Sequence, residues 1–528
     1  MSISIISVFF IALLTRDILA TSAGYGHDTA PTATIDSGSV VGQTTSIPGG
    51  KIPINKYLGV PFAAPPVRFE PPMRPTPWSE PFDASEYGPA CIQQFPYQPS
   101  PSRDQVIAWF NTPPPPAGES EDCLNVNIYA PATPGKKPVM FWIYGGSLQF
   151  GANSLPNYDG SSIAANQDVV VVTVNYRTNV FGFPGSPLLP NAAENLGQHR
   201  WLDQHFALDW VQRNIHAFGG DPKQVVIFGE SAGAASVDAL VTSYTHDPPF
   251  SGAIMESGQA TFFATNANAT APWNTMVLAL NCSAASDVLA CVRAVSATTI
   301  KSVIEHGNIV FRPVKDNITY VAHPWAARKQ GNIAPVPILI GNNANEGRIF
   351  TVGFNTTQEY LAAFLPNMPQ SFYDAVLAEY PIGSPGISNE FEQESAIDTD
   401  YRFQCAASNV ANASIQAGFP TWRYFFNASF ANTQFFSDAG VYHSSEIQEI
   451  FGTYPRGGVT TKQETLSAYM QKAWAAFANH PKAGPGWVQI PNIGVLGSPG
   501  HGLEYNIPES TLDRRCHLYQ SIYEALYS

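Results

Sequence analysis

Residues Val225–Ala234 read VVIFGESAGA. Four apolar residues run into a glycine, followed by Glu230, a serine, Ala232 and a second glycine. The β-branched start has the composition of a buried strand, and AASVDALV at Ala234–Val241 that of a buried helix. A sharp turn between strand and helix exposes and orients one hydroxyl at its apex. Its tight backbone leaves no room for large side chains two positions either side, so Gly229 and Gly233 flank Ser231. G-x-S-x-G alone occurs by chance, and a structural turn serine is the alternative. The strand before it and the helix after it favour a nucleophile at Ser231. Amides opening the following helix then face developing negative charge.

Outward from this turn the same alternation repeats. VMFWIYGG at Val139–Gly146, VVVVTVNY at Val169–Tyr176, SGAIMESG at Ser251–Gly258, PVPILIGNNANEG at Pro335–Gly347 and TWRYFFNASF at Thr421–Phe430 read as strands ending in turns. HFALDWVQRNIHAFGG at His205–Gly220 has helical apolar spacing and a glycine stop. Strands apolar on both faces and alternating with helices predict an α/β fold: a large, mostly parallel sheet with helices on both faces. No repeat or clear linker interrupts it, so residues 24–528 read as one domain. The Pro-rich stretch Cys91–Cys123, with four prolines from Pro113, reads as a surface loop.

The 528 residues are 44% hydrophobic and 13% charged, with ten Trp and 32 Phe. That composition argues for a packed core and against disorder. A formal net charge of −14 disfavours nucleic acid and anionic membrane surfaces as partners. The opening MSISIISVFFIALLTRDILATSAG carries a short apolar run, about Ile3–Leu14, that suits a secretory signal over residues 1–23. No later stretch is long and apolar enough to span a bilayer. Six cysteines and six sequons, at Asn268, Asn281, Asn317, Asn355, Asn412 and Asn427, fit an exported glycoprotein.

A serine nucleophile needs a histidine base, and the base needs a carboxylate, in the chain order Ser, acid, His on such a sheet. Glu346 stands in the turn after Ile338–Ile340, with a solvated turn glutamate as the bland alternative. Four histidines follow it: His443, His480, His501 and His517. The first and third lie on loops, and residue types alone leave both open. YGGSLQFG at Tyr144–Gly151 follows an upstream strand where an oxyanion loop belongs, its glycines allowing close backbone approach. The amide of Ala232 is the matching donor.

At this point the chain resembles the type-B carboxylesterase/lipase family, which includes cholinesterases, carboxylesterases and fungal secreted lipases. YLGVPFAAPPVRFEPP (Tyr57–Pro72), SEDCLNVNIYAP (Ser120–Pro131), YGGSLQFG, VVVTVNYR, DQHFALDWVQRNIHAFGGDP, the Ser231 turn, NNANEG and GVYHSSEIQEIFG carry the likeness over nearly the whole chain. The resemblance implies an α/β-hydrolase fold and a Ser231–Glu346–His443 triad, deciding against His501. It places oxyanion amides on Gly146, Ser147 and Ala232, where Ser147 replaces the family's usual third glycine. Glu230 and Ser257 match positions beside the triad. It also implies the pairs Cys91–Cys123, Cys282–Cys291 and Cys405–Cys516. The first closes a loop worth about 3–4 kcal/mol in the chain-entropy picture. In the family that loop borders the gorge or forms a lid; here it holds Phe95, Tyr97, Trp109 and Phe110, which either face solvent or pack on the domain.

The function implied is hydrolysis of a small-molecule or lipid carboxylic ester through an acyl-enzyme, with no metal or organic cofactor. Long-chain lipase action is the alternative. Choline esters are a third substrate class, with Trp109 as a weak stacking candidate. A non-catalytic adhesion role is disfavoured by the intact Ser231, Glu346 and His443.

Overall fold

The computed structural model describes residues 30–189, 199–260 and 270–527. The signal segment 1–23 and the sequon at Asn268 lie outside the described residues. Strands follow in chain order as β1 (Thr32–Ile35), β2 (Gly38–Val41), β3 (Gln43–Thr45), β4 (Ile54–Pro61), β5 (Phe82–Asp83), β6 (Asn125–Pro131), β7 (Lys137–Ile143), β8 (Val170–Val174), β9 (Gly220–Glu230), β10 (Gly252–Glu256), β11 (Ile338–Asn343), β12 (Thr421–Phe426), β13 (Asn492–Leu496) and β14 (Glu504–Pro508). Strands β1, β2 and β5 make a small sheet. The other eleven form one sheet in the order β14-β13-β12-β11-β10-β9-β7-β8-β6-β4-β3.

From β8 through β7, β9, β10, β11 and β12 to β13 every neighbour runs parallel. Antiparallel strands close both ends. This is the expected mostly parallel sheet with helices around it. The reason is local: β7, β8, β10 and β11 are buried at every position, so their sequences are apolar without alternation. The helices Ala232–Ser243 and Thr461–Asn479 both pack on β7 and β9. Trp142, Phe228 and Phe451 interlock over β7 and β9 within 6 Å of one another.

Two smaller apolar clusters flank the one around the sheet. One joins Ala232 and Ala235 to Phe181, Trp273 and Cys282. The other joins Tyr360, Cys405, Tyr519 and Tyr523. All three implied disulfides are formed: Cys91–Cys123, Cys282–Cys291 and Cys405–Cys516.

The stretch between Cys91 and Cys123 differs from its reading as a plain surface loop. It contains a ten-residue helix, Pro101–Phe110, capped by Ser100, whose hydroxyl accepts from the Arg103 amide. Pro101 opens it, where a missing N–H costs nothing. Trp109 is buried against Phe435 and Tyr442, while Phe95 stacks on Phe150 and Phe110 meets the same ring edge-on. Tyr97 is half exposed.

Candidate active site

Ser231 sits between β9 and the helix Ala232–Ser243 with φ 54° and ψ −120°. Such backbone is rare for a side-chain-bearing residue and costs about 1–3 kcal/mol. Its neighbours hold it there. Its N–H donates to the Glu256 carbonyl at the end of β10 (2.9 Å). A Cβ on Gly233 would lie 2.0 Å from the Ile143 carbonyl oxygen, and one on Gly229 would lie 2.6 Å from it. A Cβ on Gly258 would meet the Ser231 carbonyl oxygen at 2.3 Å. Glycine is thus required on both sides of the serine and on the adjacent strand end.

Glu346 lies in the turn after β11, fully buried. Its Oε1 accepts from the Asn343 amide and from the Ser257 hydroxyl, both at 2.6 Å. Its Oε2 is 2.7 Å from Nδ1 of His443. The loop bearing His443 is stitched to this turn. Asn345 N–H donates to the Val441 carbonyl, Val441 N–H returns a bond to Asn345 Oδ1, and Asn343 Nδ2 donates to the Tyr442 carbonyl. On the other edge of the ring, Nε2 lies 3.0 Å from Oε1 of Glu230, an oxygen that accepts from the Ser444 hydroxyl at 2.6 Å. Phe350 and Phe403 pack on the imidazole with centroids 5.0 and 4.9 Å away.

His443 and Ser231 line one pocket. Gly146 and Ser147 line it too, with Trp109, Phe110, Phe150, Phe350 and Glu230. Gly146 has φ 105°, and a Cβ there would strike the Phe150 carbonyl oxygen at 2.1 Å. Ser147 adopts φ 54°, the left-handed region in which glycine is cheapest. Ala232 opens the helix beside Ser231. Phe110 also lines a second pocket, walled by Pro113–Pro116 and Leu155.

The electrostatics are those of a buried carboxylate cluster. Burial pushes Glu346 up to about 8, against the donors Asn343 and Ser257. Burial and Glu346 push Glu446 up to about 7. Burial and then Glu446 hold Glu230 and Glu256 well above the ordinary carboxylate range. Burial drives His443 the other way, down to about 3, with Glu446 opposing. Burial therefore favours the neutral imidazole over the imidazolium. Among the described residues no group of three or more His, Cys, Asp and Glu side chains is arranged to hold a metal ion.

Of the residues singled out from sequence, Ser231, Glu346, His443, Gly146, Ser147, Glu230 and Ser257 meet at this place. His501 does not: it lies on an exposed loop, stacked on Tyr505. Sequence reading missed Asn343, Ser444 and Glu446, although Ser444 and Glu446 stand one and three residues past His443. It also missed Phe350, Phe403, Asp398 and Arg402.

Comparison with known proteins identifies the family. The profile of the carboxylesterase family matches residues 29–488. The chain is 35% identical over 454 residues to the para-nitrobenzyl esterase of Bacillus subtilis, covering 80% of this chain and 86% of that one. It is 33% identical over 484 residues to an acetylcholinesterase of Bungarus fasciatus, covering 83% and 77%. It is 32% identical over 516 residues to carboxylesterase 4A of Bos taurus, covering 89% and 91%. The chain belongs to the carboxylesterase family, with its α/β-hydrolase fold and its class of chemistry, the hydrolysis of carboxylic esters.

Proposed function

We propose that the protein is an exported serine esterase that acylates Ser231, with His443 as base, Glu346 as its orienting acid, and the amides of Gly146, Ser147 and Ala232 as oxyanion donors. His443 takes the Ser231 proton as the hydroxyl attacks the ester carbonyl. It returns that proton to the departing alcohol, and water then repeats the sequence on the acyl-enzyme. Glu346 stabilises the imidazolium that forms at Nδ1. The observation that carries this reading is the 2.7 Å pairing of Glu346 with a histidine that shares one apolar cavity with a strained, elbow-held serine.

Ser231→Ala should lower turnover of p-nitrophenyl acetate by about a millionfold, as nucleophile removal does in other serine hydrolases. A fluorophosphonate should label the Ser231 peptide in the parent protein alone. Near-normal hydrolysis by the variant would reject the assignment.

Lipase action on long-chain acylglycerols or sterol esters is the second reading. It is supported by the helix Pro101–Phe110, which places Val106, Trp109 and Phe110 over the cavity. A rise in rate at an oil–water interface would favour it over simple esterase action. Export is supported by three formed disulfides, which persist in oxidising compartments. Residues 24–528 then constitute the mature catalytic domain. Glycans would sit at the exposed Asn281, Asn317 and Asn355.

A further inference from the structure

The helix Glu390–Asp398 passes into another, Cys405–Gln416, through a π-helical turn, Thr399–Gln404. Such turns are rare and concentrate at functional sites. This one is tied to the acid turn, since Gly347 N–H donates to the Thr399 hydroxyl at 3.0 Å. It delivers two side chains to the base. Phe403 packs on the His443 ring, and Arg402 lays its guanidinium over Phe350 (4.2 Å) and Phe403 (5.2 Å), the same two rings that hold the imidazole. Phe350 and Phe403 stack on each other at 5.9 Å. Asp398, fully buried, faces Arg402 at 3.4 Å and accepts from the Tyr360 hydroxyl at 2.7 Å.

We infer that Arg402 and Asp398 are positioning residues for His443, a charge pair with a fully buried carboxylate that acts on the base across an aromatic clamp of Phe350 and Phe403. The inference rests on His443 being the base. The carboxylates facing the ring or its near surroundings are Glu346 at Nδ1, Glu230 at Nε2, Glu446 and Asp398. Burial is the main force keeping the ring neutral, and the charges of Glu446 and Asp398 oppose it by favouring the imidazolium. Arg402 counters them: its charge acts on both His443 and Glu346, disfavouring the imidazolium and favouring the carboxylate. Arg312 is a further cation close enough to feel Arg402. The two phenyl rings under the guanidinium are the same two that hold the imidazole, so the cation and the base share one aromatic clamp.

The acid limb of kcat/KM against pH reports the base in the free enzyme. Through two ring contacts the Arg402 and His443 charges are separated by about 9 Å at most, which at an effective dielectric near 20 shifts a pKa by about one unit. Arg402→Met should move the limb of p-nitrophenyl acetate hydrolysis to higher pH by about one unit. Asp398→Asn should move it the opposite way, and Arg402→Lys should restore most of the parent position. A general packing defect would lower the rate without opposite shifts. If Arg402→Met does not fold, the Asp398→Asn and Arg402→Lys profiles still decide. Parent-like limbs in the folded variants, beside normal Ser231 labelling, would overturn the clamp and leave the esterase reading standing. A parent protein that hydrolyses no ester would overturn both.

Discussion

At Ser147 a serine side chain occupies backbone that glycine adopts more cheaply, in a loop whose neighbour Gly146 tolerates nothing else. Ser147→Gly should relieve strain of about 1 kcal/mol and raise the melting temperature slightly. It should also change the ratio of rates on acetyl and bulkier acyl esters, because the serine side chain borders the cavity. Glu449 offers a pH test. It is buried, with Oε1 accepting from Gln463 at 2.8 Å, and burial raises it to about 8. The unfolded carboxyl ionises near pH 4.5, so over the interval from there to about 8 the folded state binds the extra proton. Stability from this group is present at low pH and lost as pH rises through that window. Glu449→Gln should flatten the fall in melting temperature between pH 5 and pH 8, with its gain at the alkaline end. An unchanged slope would contradict the assignment. At this scale Ser231, Glu346 and His443, which the fold brings to one place, were legible because each sits in a short motif. Arg402 and Asp398 were not, since some forty residues separate them from His443 and only the fold joins them.

Among the elements, the strand–turn–helix around Ser231 is the most tightly specified. Gly233→Ala forces a methyl against backbone at Ile143, which cannot move without disturbing β7. We expect a loss of several kcal/mol or failure to fold, and in any folded fraction a loss of fluorophosphonate labelling. The sheet strands were readable because burial on both faces removes polar alternation. The helix Pro101–Phe110 was not, because prolines dominate its surroundings and its apolar positions follow no strong period. Its start signals, Ser100 as cap and Pro101 as first residue, were nonetheless present in the sequence. That helix ends at Phe110, the residue shared by the pocket around Ser231 and His443 and the proline-walled one. Phe110→Ala should merge the two spaces and raise kcat/KM on decanoyl relative to acetyl p-nitrophenyl esters by about tenfold.

For the molecule as a whole, composition foretold a folded acidic protein with a large core, and the pairing of six cysteines followed from resemblance alone. Sequons could be counted from sequence, yet only the fold distinguishes them. Asn412 is half-buried within the helix Cys405–Gln416, its amide nitrogen bonded to Ser408, and Asn427 is half-buried with its amide donating to Ser498. Glycopeptide mass spectrometry of the protein made in a eukaryotic secretory host should find Asn281, Asn317 and Asn355 occupied more fully than these two. Among the described residues no helix is long and apolar enough to cross a membrane. The Cys405–Cys516 bond has a wider reach than its count suggests, because Cys405 begins where the π-helical turn ends. It moors the carboxyl-terminal tail to the very segment that carries Phe403. Manufacture in a reducing cytosol, or a bulky fusion partner hung after the last helix, would thus slacken a mooring whose far end bears on the imidazole.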